Sequence, residues 1–191
     1  MQKMQETVKR MHTLIDDLLG YSRVKHASGN FEKTDLNKIA EEVIEDFKDT
    51  LKEKKATIKA DGLCRVNISR FQFRQLLYSL ISNSLKFSDP GRPARITIKS
   101  KIMQGDKLGN EDLLPDTNYC HMTVSDNGIG FDPQYKDRIF EVFQRLHDYE
   151  EYKGTGIGLA LCKRIVENHK GIITATGQLN RGAHFDIYFP A

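Results

Sequence analysis

The sequence is poor in cysteine and contains no long apolar run. Its three cysteines, Cys64, Cys120 and Cys162, are far apart, so neither a disulfide framework nor a zinc cluster is expected. This cysteine usage is typical of a reducing compartment, and we expect a cytoplasmic location. No apolar stretch approaches the length of a transmembrane helix, and the N-terminus has no signal-peptide core. Any membrane anchor is therefore expected to lie in segments outside this chain.

The chain also lacks a strong excess of charge of either sign. Its 29 Lys and Arg residues and 26 Asp and Glu residues leave a net charge of +3. This charge is too small and too evenly spread to indicate binding to nucleic acid or to a membrane surface. With 191 residues, 39% of them hydrophobic, the chain can form one sizeable α/β domain and an appendage.

Two common nucleotide-binding motifs are absent as well. No glycine-rich run ends in Gly-Lys-Ser or Gly-Lys-Thr, which excludes a P-loop. The pair Gly128 and Gly130 is followed by Pro133 where a dinucleotide-binding fingerprint has its third glycine, and no helix is expected to begin there. A nucleotide site in this chain must therefore be built in another way.

Two glycine-rich turns do lie close together. The first, Asp126–Phe131, follows an alternating strand pattern, and the second, Gly154–Leu159, leads into a helical pattern. Glycine lets the backbone approach a phosphate or a base, and the N–H groups at a helix N-terminus attract anions. Either turn alone is more typical of an ordinary connection, but the pair favours a nucleotide site.

These turns resemble the ATP-binding domain of sensor histidine kinases, in the superfamily shared with gyrase and MutL-type ATPases. Four stretches match the family's motifs in the right order, namely Gln75–Ser88, Asp126–Phe131, Arg138–His147 and Gly154–Leu159. The resemblance implies an α+β fold, a two-layer α/β sandwich in which a mixed sheet carries helices on one face. It also implies an ATP site between the helices and a lid, with ATP or ADP and Mg²⁺ as cofactors.

The resemblance also implies roles for individual residues. Asn83 is expected to coordinate Mg²⁺ and Lys86 to contact phosphate, whereas Asp126 is expected to accept a hydrogen bond from the adenine amino group. Phe140 and Phe143 are expected to anchor the lid, and Arg145 to point towards the phosphates. The full set of expected ATP-binding residues is Asn83, Lys86, Asp126, Gly128, Ile129, Gly130, Phe140, Arg145, Lys153, Gly154, Thr155, Gly156, Ile157, Gly158 and Leu159. Without the glycine turns, Asn83 and Lys86 would be read as ordinary solvated residues of a helix.

Two positions depart from the family pattern. Ser79 stands where the family usually has a second Asn, one turn before the expected Mg²⁺ ligand. His184 replaces a Thr in the stretch Gly182–Phe185, so no role is assigned to it.

The N-terminal residues carry a heptad pattern of apolar side chains. These are Met1, Met4, Val8, Met11, Ile15 and Leu18, with Leu14 and Leu19 widening the stripe. The segment Arg10–Arg23 resembles the second helix of the histidine-kinase dimerisation hairpin. We therefore expect two domains, with residues 1–28 as that helix and residues 29–191 as the catalytic ATP-binding domain. The implied assembly is a homodimer through the N-terminal helix; a helix folded back on its own domain is the alternative.

The implied function is a kinase that transfers the ATP γ-phosphate to a histidine, for relay to a response regulator receiver domain. None of the six histidines lies in the family's phosphoacceptor motif, so the chain is expected to begin inside the hairpin and the acceptor is unknown. One alternative is an ATPase or serine kinase of the same superfamily, which typically has a catalytic Glu at the position of Ser79. The other is a nucleotide-sensing scaffold without transfer activity.

Several local structures are also predicted. Apolar spacing indicates one helix from Leu36 to Leu51, with Asp35 or Thr34 as its cap. Ser69 is expected to cap the helix that carries Asn83. The segment Asp132–Lys153 is expected to form few core contacts, as a mobile lid requires. The long polar loop Gln104–Asn118 has no assigned role.

Overall fold

A computed structural model of the protein describes residues 30–146, 152 and 154–191, and upstream of them Met11, Ile15, Leu18, Leu19 and Ser22. The helices are α1 (Leu36–Asp46), α2 (Lys48–Glu53), α3 (Arg70–Lys86) and α4 (Gly158–Asn168). The strands are β1 (Glu32–Asp35), β2 (Thr57–Ala60), β3 (Arg65–Ile68), β4 (Arg95–Gln104), β5 (Asn118–Asp126), β6 (Ile172–Gln178) and β7 (Gly182–Pro190). Short 3₁₀ turns occur at Gly105–Lys107, Pro133–Tyr135 and Arg138–Phe140.

Five of the strands form one mixed sheet in the order β2-β4-β5-β7-β6. Strands β2 and β4 run parallel, and every other neighbouring pair is antiparallel. Strands β1 and β3 form a separate two-stranded antiparallel sheet. The expected mixed sheet is therefore confirmed.

The helices α1, α3 and α4 cover one face of the large sheet, with α3 between the other two. Strand residues alternate between the two faces, so one set from each strand meets the helices. From the sheet these are Ile96, Ile98, Cys120, Met122, Val124, Ile173, Ala175, Phe185, Ile187 and Phe189, and from α3 they are Phe73, Leu76, Leu77, Leu80 and Ile81. This core between the sheet and the helices confirms the predicted α+β, two-layer sandwich.

The helix expected from Leu36 to Leu51 is interrupted at Phe47. The Phe47 backbone leaves the helical region, with φ −96° and ψ 4°, and its N–H donates to the carbonyl of Ile44 at 3.1 Å. The Phe47 ring is 8% exposed and lies 4.7 Å from the Tyr78 ring, measured between centroids. The prediction of one continuous helix was therefore wrong, because the Phe47 backbone departs from helical geometry between α1 and α2. The cap is Asp35, whose carboxylate accepts the Asn37 N–H at 3.0 Å.

The start of α3 is held by a residue far away in the sequence. Ser69 occupies the cap position, as expected, but its side chain makes no capping hydrogen bond. Instead, the Ser69 backbone N–H donates to His169 Nε2 at 3.0 Å, and His169 Nδ1 donates to the carbonyl of Ile165 at 2.7 Å. His169 is 6% exposed, and burial lowers its pKa from the ordinary value of 6.5. Neutral His169 therefore ties the end of α4 to the beginning of α3.

The long loop between β4 and β5 folds back on the face of the sheet opposite the helices. Its ends are joined by a hydrogen bond from the Gly105 N–H to the Thr117 carbonyl at 2.9 Å. Leu113 is buried there against Tyr119 and Tyr188. These contacts give the loop a packing role.

The described residues near the N-terminus support a helix with an exposed apolar stripe. Met11, Ile15, Leu18 and Leu19 are helical and are 57%, 52%, 50% and 49% exposed. Met1, Met4, Val8 and Leu14 of the predicted heptad lie outside the described residues. Across the described part of the chain, no helix has the length and apolar content needed to cross a membrane. The domain boundary at residues 28 and 29 stays a prediction.

Candidate functional site

The first glycine turn leaves β5 and is held on both sides. The Ile129 N–H donates to the carbonyl of Phe87, at the end of α3, at 2.9 Å. On the other side, the Asn180 N–H donates to the Ile129 carbonyl at 2.7 Å. Gly130 has φ +65°, and a Cβ there would overlap the carbonyl oxygen of Gln178. Only glycine fits this position, and the turn is fixed against both α3 and β6.

Asp126, the last residue of β5, points its carboxylate into the space between the sheet and α3. Oδ1 accepts the backbone N–H groups of Gly128 at 2.9 Å and Ala183 at 3.2 Å, and Oδ2 accepts the Ser84 hydroxyl at 2.9 Å. Burial raises the pKa of Asp126, and these three hydrogen bonds oppose that rise. The donors favour the ionised form, which acts only as a hydrogen-bond acceptor.

The second glycine turn leads into α4 and packs against the polar side of α3. Ser79 Oγ donates to the carbonyl of Gly158 at 3.1 Å, and a Cβ at Gly158 would lie 3.7 Å from Asn83 Nδ2. A Cβ at Gly154 would overlap Lys86 Nζ. Asn83 and Lys86 share one side of α3, as predicted, and both face this turn. Ser79 has a structural contact here, with the first turn of α4.

Two cationic side chains meet at the same place. Burial first and the nearby Arg145 second lower the pKa of Lys86 from its ordinary value of 10.5. The Lys86 ammonium lies 4.6 Å from the centroid of the Phe87 ring, and that ring lies 5.1 Å from the Tyr152 ring. Positive groups near one another attract anionic ligands.

Part of the segment between the glycine turns is buried in the core, and part of it is exposed. Ile139 and Phe140 are 7% and 8% exposed, and the Phe140 ring meets the edge of Phe185 at a centroid distance of 6.5 Å. Phe143, in contrast, is 59% exposed with φ +65°. Phe140 is thus a core anchor as expected, whereas the expectation for Phe143 was wrong. The expectation of few core contacts from Asp132 onwards was also wrong, because this first part of the segment packs on α4 and β6 and places Phe140 against Phe185 of β7.

These elements enclose a cavity of about 460 Å³. Of the predicted site residues, the cavity is lined by Asn83, Lys86, Asp126, Gly130, Arg145, Gly154, Thr155, Gly156, Gly158 and Leu159. Gly128, Ile129, Phe140 and Ile157 are not among the lining residues, and Lys153 lies outside the described residues. Asp148–Glu151, also expected in the lid, lie outside them too.

Sequence reasoning missed several residues that line the cavity, among them Phe87, Tyr152 and Ser84. Phe87 and Tyr152 line it together, and their contact depends on a long-range approach that no local pattern indicates. Ser84 also lines it and is 3% exposed. A signal for Ser84 was present, because it continues the buried apolar stripe of α3, where a hydroxyl needs a partner.

Comparison with known proteins identifies the family. Residues 69–191 match the model described as "Histidine kinase-, DNA gyrase B-, and HSP90-like ATPase", which covers more than half of the chain. The chain belongs to this family of ATPases.

Several relatives are sensory proteins. The chain is 39% identical over 185 residues to Cyanobacterial phytochrome A of Nostoc sp., covering 97% of this chain and 22% of that protein. It is 27% identical over 191 residues to the Adaptive-response sensory kinase SasA of Synechococcus sp., covering 97% of this chain and 47% of the relative. The chain therefore spans less than half the length of these curated relatives.

Solved structures share the fold. Full-length ShkA in complex with AMPPNP superposes with a TM-score of 0.76 at 22% identity, covering 99% of this chain and 37% of that one. The catalytic domain of the histidine kinase ThkA, in a nucleotide-free form, gives a TM-score of 0.65 at 25% identity, covering 84% of this chain and 97% of that one.

Proposed function

We propose that this chain is the ATP-binding catalytic region of a sensor histidine kinase, which transfers the ATP γ-phosphate to a histidine outside the chain. The observation that carries this proposal is the meeting of Asp126, both glycine turns, Lys86 and Arg145 around one cavity. The lining offers a carboxylate acceptor, Asp126, and two cations, Lys86 and Arg145. An adenine base matches the carboxylate and a polyphosphate matches the cations.

In this proposal each group acts by position and charge. Asp126 accepts a hydrogen bond from the adenine amino group, and the backbone at Gly130 lies against the ring. Lys86 and Arg145 face the phosphates, and the N–H groups of the second glycine turn, at the N-terminus of α4, add donors to the same anion. Phosphoryl transfer needs positioning and charge stabilisation more than covalent chemistry from the protein, and these groups supply both.

The residues also fit a Mg²⁺ ion bound together with the nucleotide. Asn83 offers a side-chain oxygen within the cavity, beside Gly158 and one turn of helix from Lys86. Among the described residues no cluster of three or more His, Cys, Asp or Glu side chains could hold a metal. One amide ligand suits Mg²⁺, which takes its other oxygens from phosphates and water. When bound, the ion offsets phosphate charge during transfer.

The ATPase and serine-kinase alternative receives less support. Of the described residues that line the cavity, Asp126 is the one with a carboxylate, and three of its acceptor positions are taken by Ser84, Gly128 and Ala183. Ser79 offers a hydroxyl that already donates to the Gly158 carbonyl. Hydrolysis requires a base to activate water, and the described cavity wall offers none near Lys86.

Dimerisation and relay are part of the proposal. The half-exposed apolar side chains of Met11, Ile15, Leu18 and Leu19 support a helix that packs in a bundle with a partner protomer. The phosphoryl group would pass from the acceptor histidine to a response regulator receiver domain. A nucleotide-sensing scaffold would share the cavity but would not transfer phosphate.

A transfer experiment separates the kinase from the scaffold. The chain is incubated with γ-labelled ATP and Mg²⁺, alone and with a polypeptide that carries an acceptor helix able to complete the bundle. We expect acid-labile label on the added polypeptide and none on the chain itself. Nucleotide binding without label on either component would favour the scaffold. Label on the chain, lost in His12→Gln, would instead place the acceptor within it.

A further inference from the structure

Ser84 is a polar residue on the buried side of α3. It is 3% exposed and lies among the core residues Leu80, Ile81 and Leu85. Its hydroxyl donates to Asp126 Oδ2 at 2.9 Å. A buried hydroxyl is tolerated where it has such a partner, and removing it leaves a charged acceptor with one donor fewer.

The other contacts of Asp126 make this bond important. Oδ1 receives two backbone N–H groups, from Gly128 and Ala183, so its lone pairs are used. Oδ2 receives the Ser84 hydroxyl, which leaves it one further lone pair. Ser84 therefore both sets the rotation of the carboxylate and leaves a single acceptor position, on a residue that lines the cavity.

We propose that Ser84 is a positioning residue that makes the cavity select a purine with an exocyclic amino group at position six over one with a carbonyl there. This inference rests on the proposed function, in which Asp126 faces the base. An ionised carboxylate accepts a hydrogen bond from an amino group, whereas a carbonyl oxygen in the same place is repelled.

The electrostatics of the site support this role. Burial raises the pKa of Asp126, and the Ser84 hydroxyl is one of three donors that lower it again. Without the hydroxyl, burial is unchanged while one donor to the charged form is lost, so the pKa of Asp126 rises further. Protonated Asp126 can donate to a carbonyl oxygen, so the preference for the amino group weakens first at low pH.

The test compares ADP with inosine diphosphate. The base of inosine diphosphate carries a carbonyl at position six and has no exocyclic amino group. Calorimetric titration of the full chain is carried out between about pH 8 and about pH 5, with and without Ser84→Ala. We expect the unmodified chain to prefer ADP at every pH. In Ser84→Ala the ratio of the dissociation constants for inosine diphosphate and ADP should fall about tenfold, and most of this fall should occur at the lower pH values.

A second readout needs no nucleotide. Carboxyl carbon NMR follows the ionisation of Asp126 as the pH changes, and its signal is assigned by its absence in Asp126→Asn. The pH midpoint of this titration should be higher in Ser84→Ala than in the unmodified chain. Ser88→Ala is the matched control, since its hydroxyl donates to the Leu85 carbonyl at 2.8 Å on the same segment. It should leave the preference and the midpoint unchanged. Ser84→Thr, which keeps the hydroxyl, should restore most of the preference.

Equal ADP preference and equal Asp126 midpoints in the unmodified chain and in Ser84→Ala would overturn the role of Ser84. If Ser84→Ala does not fold, Ser84→Cys gives the same decision, since a thiol of similar shape is a weaker donor. An unchanged preference in that variant would also overturn it. Binding of neither nucleotide by the unmodified chain would overturn the nucleotide site itself.

Discussion

His169 Nε2 accepts a hydrogen bond from the backbone N–H of Ser69 at 3.0 Å, although the two residues are 100 positions apart in the sequence. The bond requires an unprotonated Nε2, because this atom accepts the Ser69 N–H, and the proton of the neutral ring is on Nδ1, which donates it to the Ile165 carbonyl. The structure of the α3 N-terminus is therefore linked to the protonation state of one buried imidazole.

The first prediction follows from this link. Burial lowers the pKa of folded His169 below the ordinary 6.5, so its contribution to stability is complete above pH 6.5. It is lost as the pH falls from there through the lowered pKa, because the unfolded chain then binds the proton more readily. His169→Gln should remove this component of the pH dependence, measured as the free energy of unfolding in urea at several pH values.

His184→Gln is the control for that experiment. Asp186 raises the pKa of His184, whose contribution is present below the ordinary 6.5 and is lost as the pH rises through the raised pKa. The two variants should therefore change the pH profile with opposite sign. The same change in both would contradict the role of His169.

The second prediction concerns the second glycine turn. Gly156 has φ +77°, and a Cβ there would lie 2.8 Å from the carbonyl carbon of Phe143. Gly156→Ala should therefore lower the free energy of unfolding by about 1–2 kcal/mol from backbone strain alone, and more through the clash. It should also weaken ATP binding by displacing the turn. Gly109→Ala is the matched control, because Gly109 has φ +64° with nothing near its Cβ position. Equal losses in the two variants would contradict the close packing described.

The third prediction separates the roles of Asp126 and Asn83. Asp126→Asn should weaken the binding of ATP and of ADP, with or without Mg²⁺. The reason is that the substitution replaces a pure hydrogen-bond acceptor for the base with an amide group that also donates. Asn83→Ala should mainly remove the part of the affinity that depends on Mg²⁺. Calorimetry with Mg²⁺ or with a chelator measures both effects, and the exposed Asp106→Asn serves as control. Equal losses with intact Mg²⁺ dependence in both variants would be incompatible with these roles.

The fourth prediction concerns the segment between the glycine turns. Val142 and Phe143 are 38% and 59% exposed, whereas Ile139 and Phe140 are nearly buried. Amide exchange should therefore be slow at Ile139 and Phe140 in all conditions. At Val142 and Phe143 it should slow markedly when ADP and Mg²⁺ are added, as closure over the ligand requires. Hydrogen exchange with mass spectrometry measures this, and unchanged exchange at Val142 and Phe143 would argue against a lid.

The sequence predicted those features that depend on local patterns. Alternating and helical apolar spacing indicated the main strands and helices, and the glycine turns with Asn83 and Lys86 indicated residues that share the cavity. Contacts between distant segments were not predictable from such patterns. The Phe47 ring contacts Tyr78, the start of α3 is bonded to His169, and the Asp126 carboxylate is bonded to Ser84. Phe140 and Phe143 looked equivalent, because spacing does not say which ring reaches the core.

The measurement that tests the central claim most directly is the thermal unfolding of the chain with nucleotide. ADP with Mg²⁺ at about a hundred times its dissociation constant should stabilise the fold by about 2.7 kcal/mol, with a corresponding rise in Tm. Asp126→Asn at the same ADP concentration should show a much smaller rise. A Tm that does not change with millimolar ATP or ADP, in a chain that unfolds cooperatively, would contradict the claim that this cavity binds an adenine nucleotide.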